Sequence, residues 1–118
     1  MSKFIISFGA SAMDHIPDED MPAVADAAHA VVHEIVNAGV YVVAGGLDNR
    51  SSIVAIDGTV TDGPEPEAVS GITIIDVPSR EEALEWAAKI AVACRCAQEV
   101  WTIGHDPRLE AMLEQAGR

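Results

Sequence analysis

Apolar and polar residues alternate with a period of two near the start of the chain. Phe4, Ile6 and Phe8 fall on one face and Ile5 and Ser7 on the other, which predicts a strand over 3–8. The period then changes. After a loop at 9–17, Met21, Val24, Ala25, Ala28, Val32, Ile35 and Val36 recur every three or four positions. That stripe predicts a long helix over 18–38, with Gly39 as the residue that ends it. Residues 40–44 form a second apolar strand, which stops at Gly45-Gly46. Asp57-Gly58, between 52–56 and 59–61, is a two-residue hairpin signal, and a type I′ turn is expected there. Residues 71–77 read as a further strand, stopped by Pro78. Ser79 with Glu82 three positions on makes a capping box for a helix over 79–93. Its polar arc carries Glu81, Glu82, Glu85 and Lys89, with Glu85 and Lys89 in the favourable i,i+4 order. Residues 95–103 alternate as a last strand, placing Arg95 and Glu99 on one face. Asp106-Pro107 starts a short terminal helix carrying Leu109, Met112, Leu113 and Ala116.

These elements give the order β-α-β-hairpin-β-α-β-α in a single domain over 1–118. A β-α-β-β-α-β core is the ferredoxin-like α+β arrangement, here with an extra β-hairpin and a C-terminal helix. It sets two helices on one face of a four-stranded antiparallel sheet. The strands are apolar on both faces, so the second face needs a cover, and a second copy of the chain is the expected one.

Composition narrows the partners. Nineteen acidic residues against seven basic ones give a net charge of −12. A phosphate backbone is bound by displacing counterions with Lys and Arg, so no nucleic-acid partner is expected. Anionic membrane surfaces are disfavoured in the same way, and no apolar run has the length of a membrane span. The chain opens on a strand pattern without the parts of a secretory signal, so a cytoplasmic location is expected. Cys94 and Cys96 have neither zinc nor redox spacing and read as packing thiols on one strand face. No metal and no cofactor are expected.

The run Thr61-Asp62-Gly63-Pro64 resembles the Asp-Gly-Pro-Phe motif of the DGPF branch of the YCII-related family. The strand at 71–77 and the helix opening Pro78-Ser79-Arg80-Glu81-Glu82 resemble that family's strand and following helix. Ala38-Gly39, Gly45-Gly46-Leu47 and Glu99-Val100 resemble further marks of it. The likeness spans about residues 1–103 and is specific as an ensemble. Glu65 stands where the family has Phe, Pro66-Glu67-Ala68-Val69-Ser70 replaces an acidic-Lys-Glu segment, and Ala91 replaces a Pro. The resemblance implies a dimeric α+β barrel with a cleft in each subunit and a His–Asp pair as a suspected site. The departures near that site mean it implies the fold rather than an activity.

His29 borders the apolar stripe of the first helix, with His33 one turn on. Histidine titrates near neutrality, so His29 is a candidate acid or base beside the alternative of a hydrogen-bonded helix His. Asp48, after the second strand, and Asp62, in the Asp-Gly-Pro turn, are candidate carboxylate partners, though both sit in ordinary turn chemistry. Gly45, Gly46, Gly63, Pro64 and Glu99 are candidate ligand contacts. Two classes of function follow. One is a non-catalytic homodimer that binds a small molecule or serves structurally, preferred because the motif loop departs from the family pattern. The other is a lyase- or isomerase-type enzyme using His29 with Asp48 or Asp62.

Overall fold

The computed structural model of the chain describes residues 1–48, 50–63 and 68–117. Pro64 and the departures at 65–67 lie outside the described residues. Strand β1 (Ser2–Gly9) is followed by a 3-10 turn (Asp18–Asp20) and helix α1 (Met21–Asn37). Next come β2 (Tyr41–Gly46), β3 (Ser52–Val54), β4 (Val60–Asp62) and β5 (Val69–Val77). Helix α2 (Arg80–Cys94), β6 (Glu99–Thr102) and α3 (Pro107–Gln115) complete the order. The main sheet runs β2-β5-β1-β6 with antiparallel pairing throughout, and β3 and β4 form a separate hairpin.

Register explains where the core lies. Phe4 pairs with Ile75 and Ile6 with Thr73, so the even side chains of β1 and the odd ones of β5 share a face. Both helices pack on that face, through Val31 and Ile35 of α1 and Ala83, Ala87 and Ile90 of α2. Ile6, Ile35, Ile75 and Val77 are fully buried. Each such side chain contributes about 2 kcal/mol relative to exposure. The helices are also tied to each other. Lys89 Nζ lies 2.9 Å from Glu34 Oε1 and sits over the Trp86 ring at 5.2 Å, rather than pairing with Glu85. The capping residues act as expected. Ser79 Oγ accepts from the Glu82 N–H, and Asp106 accepts from the N–H groups of Arg108 and Leu109.

Several local expectations are corrected. The first helix does not run unbroken from 18, because the Pro22 ring would clash with the carbonyl four residues earlier. The chain makes a 3-10 turn first, and α1 begins at Met21. Its inward stripe is Val24, Val31 and Ile35, while Met21 and Val36 are exposed.

The turn between β3 and β4 is not type I′. The Gly58 N–H donates to Ala55 O and the Ala55 N–H to Thr59 O. Gly58 has φ +89°, whereas Asp57 is not among the positive-φ residues. This is a three-residue loop with a bulge at glycine. Asp57 Oδ1 accepts from the Thr59 N–H, and that bond holds its carboxyl below the usual value.

The last strand starts at Glu99, not at 95. Arg95 adopts φ 56° as the C-cap of α2. Its guanidinium pairs with Asp20 at 2.9 Å, and His15 Nε2 donates to its carbonyl at 2.8 Å. Arg95 and Glu99 therefore share no strand face. Nor do the thiols, since Cys94 is the last residue of α2 and Cys96 lies in the turn after it.

The second face of the sheet is open. Ile5 pairs with Ile74 on one side and Trp101 on the other, and Val43 pairs with Ile74. With Ile72, these make an apolar plane on which Trp101 is 56% exposed. On β2 the register slips between Tyr41 and Val43, leaving a bulge on that edge. Leu109, Met112 and Leu113 of α3 and Ile53, Val54, Ile56 and Val60 of the hairpin are exposed as well. No helix of the described residues is long and apolar enough to cross a membrane.

Candidate ligand site

A cavity of about 410 Å³ lies between α1 and the β2–β5–β1 part of the sheet. Its roof is Met21, Val24, Ala25, Ala28, His29 and Val32 of α1. Its floor is Ile6 and Phe8 of β1, Tyr41, Ala44, Gly45 and Gly46 of β2, and Gly71 to Thr73 of β5. Met13, Ile90, Cys94 and Gln98 complete the wall. Local sequence makes the space. Small residues on α1 face small residues on β2, and Gly46 leaves open the space its side chain would take, with only Ser70 O at 4.0 Å from that position. Pockets of this size, mostly apolar with a few polar groups, are the usual form of a small-molecule site.

The polar groups on the wall are few, and among the described residues none of them is Lys, Arg, Asp or Glu. Thr73 is buried, and its hydroxyl makes no hydrogen bond among the described residues. Tyr41 Oη accepts from the Ala44 N–H at 3.2 Å, which leaves its proton free to donate. Gln98 Nε2 donates to Cys96 O at 3.3 Å and to Cys96 Sγ at 3.5 Å, which leaves its amide oxygen free to accept. Burial pushes the Cys94 thiol up, with the neighbouring Cys96 adding to the shift. Cys96 is also pushed up by burial, against the opposing hydrogen bond from Gln98. Both thiols are thereby held in the protonated form, which is the poor nucleophile.

The cavity brings together three of the residues singled out in the sequence: His29, Gly45 and Gly46. His29 is solvent-exposed at its rim. Asp48 is not on the wall. Its Oδ1 accepts from the Arg50 N–H at 2.9 Å, a turn bond within its own loop. Asp62 ends β4 opposite Ser52 in the hairpin and is also off the wall. Among the described residues no hydrogen bond or ion pair joins His29 to either carboxylate. The Gly63 N–H donates to Ser51 O at 2.9 Å, and the Ser51 hydroxyl fills the space a side chain at 63 would take. Glu99 is exposed on β6, opposite Ser7. Pro64 lies outside the described residues. No group of three or more His, Cys, Asp or Glu among the described residues is placed to hold a metal ion.

Sequence reading missed Met13, Met21, Tyr41, Thr73, Cys94 and Gln98 as wall residues. The one available signal was the set Ala25, Ala28, Ala44, Gly45 and Gly46, which puts small residues on two facing elements. Fold and site together define an α+β protein with an antiparallel sheet and an apolar cavity beneath its first helix. A scan against protein-family models and a search of curated proteins both find no match to the chain.

Proposed function

We propose that the protein is a non-catalytic small-molecule-binding homodimer. In this reading the subunit is ferredoxin-like, of the YCII-related kind, and acts in the cytoplasm. Two open sheet faces pack together as a dimeric α+β barrel. The observation that carries the binding role is the 410 Å³ cavity with its apolar wall and few polar groups. The sheet order β2-β5-β1-β6, with the hairpin inserted between β2 and β5, supports the subunit topology. The acid–base alternative needs a carboxylate beside His29, and neither Asp48 nor Asp62 lies on the cavity wall with it.

Surface area supports the dimer. The chain exposes 8163 Å². A compact monomer of 12.4 kDa would expose about 6,100 Å². The excess, about 2,000 Å², is more than the roughly 800 Å² each partner gives to a standard interface. The radius of gyration, 16.3 Å, likewise exceeds the ~13.5 Å of a compact domain of this length. The open face, α3 and the hairpin carry many of the exposed apolar groups, and Met21, Val36, Leu84 and Val92 of the two long helices carry others.

A thermal-unfolding screen against small metabolites tests binding, since a ligand that binds only the folded state raises its apparent stability. The expected result is a raised midpoint with at least one compound, accompanied by no turnover of it. Turnover that His29→Ala abolishes would replace this reading with the enzymatic one.

A further inference from the structure

We propose that the cavity beneath α1 selects a neutral, largely apolar compound carrying a hydroxyl or carbonyl group, and excludes ionised carboxylates and ammonium ions of the same size. This rests on the binding role just given and adds the ligand's class. Among the described residues on the wall there is no Lys, Arg, Asp or Glu. An ionised carboxylate entering it would lose its water with no fixed cation to replace it, and an ammonium would find no carboxylate. His29 is the one wall residue able to carry a positive charge, and it stands at the exposed rim rather than within. The chain's net charge of −12 further opposes the approach of anions.

What the wall offers instead is hydrogen bonding without charge. The Thr73 hydroxyl can donate or accept, the Tyr41 hydroxyl can donate, and the Gln98 amide oxygen can accept. A single hydroxyl or carbonyl satisfies one or two of these, while the rest of the ligand meets aliphatic groups. Met13 and Met21 lie on the wall with Cys94. Methionine's unbranched, polarisable chain conforms to irregular partners, so the site discriminates by polarity more than by outline.

The test uses N-phenyl-1-naphthylamine, a neutral probe that fluoresces in apolar surroundings, with displacement by 1-decanol and by decanoate at pH 8. These competitors share a chain and differ in charge. Two variants fill the cavity. In Gly46→Leu, the new Cβ has no neighbour closer than Ser70 O at 4.0 Å. Ala25→Leu changes a solvent-accessible residue of the roof and serves as the second variant should Gly46→Leu disturb folding. The expected result is probe binding that either folded variant weakens by at least about tenfold, with decanol displacing at least about tenfold better than decanoate. If the variants abolish binding but decanoate competes as well as decanol, the ligand class is wrong and the binding role stands. If neither folded variant alters the binding of any of the three compounds, the cavity is not a ligand site and both readings fall.

Discussion

Phe8 and Gly71 face each other across β1 and β5, and the Phe8 ring occupies the space a side chain at 71 would need. The outer end of the aromatic ring thus lies over the Gly71 backbone, and Phe8 forms part of the cavity floor. Gly71→Ala must displace the ring or the strand. We expect a loss of about 1–3 kcal/mol, the usual cost of overpacking, read as a lowered unfolding midpoint. Phe8→Leu in the same background should recover part of that loss by clearing the space. No recovery would show that the cost lies in the backbone of β5 instead.

Gly58 sits at φ +89° in the turn of the β3–β4 hairpin. Valine there pays about 1–2 kcal/mol for the left-handed conformation. The hairpin is a separate two-stranded sheet with exposed side chains, so the cost should fall on the hairpin and leave the core unaffected. Gly58→Val is expected to speed thermolysin cleavage between residues 53 and 60 while moving the global midpoint little. Equal cleavage rates would show that the bulged turn does not hold the hairpin together.

Trp101 is more than half exposed on the open sheet face, next to Ile5. A charge placed there has no cost in an isolated subunit but is buried in a face-to-face dimer. Trp101→Glu should sediment as a 12.4 kDa chain at concentrations where the parent sediments at twice that mass. An unchanged sedimentation coefficient would place the interface elsewhere.

Burial raises both thiols, Cys94 with the additional influence of Cys96. A group whose folded value is raised stabilises fully below its unfolded value. That stability is lost as the pH climbs from the ordinary value of 9.0 through the higher folded one. Stability should therefore fall on the alkaline side, and Cys94→Ala should flatten that limb. At pH 8 the native thiols should react with a disulfide reagent more slowly than those of the denatured chain. The half-buried Cys96 should be the faster of the two.

Strong local patterns carried most of the fold. Alternation marked β1 and β5, and the Ser79 and Asp106 caps fixed where α2 and α3 begin. The failures have physical causes. Arg95 takes a left-handed conformation that its residue type does not announce. It is held there by bonds to Asp20 and His15, which are 75 and 80 residues away in sequence. Alternation through 95–98 therefore mimicked a strand. Val31 was passed over because the stripe was drawn through Ala28 and Val32, and only the seating of α1 against α2 and β2 decides which side faces inward. The cavity was legible only at His29, Gly45 and Gly46. Empty space is made by what neighbouring elements lack, and Thr73, Tyr41 and Gln98 meet there only after folding.

The bulge between Tyr41 and Val43 lies on an edge strand, where an unpaired row of N–H and C=O groups invites strand-by-strand polymerisation. An irregular β2 gives an incoming strand no continuous register to copy. The opposite edge, β6, is four residues long and begins with a carboxylate, which makes it an equally poor template. Sideways growth into fibrils is blocked at both ends of the sheet. The route to aggregation most open to an apolar sheet is thereby disfavoured by the backbone itself, whatever comes to cover the open face.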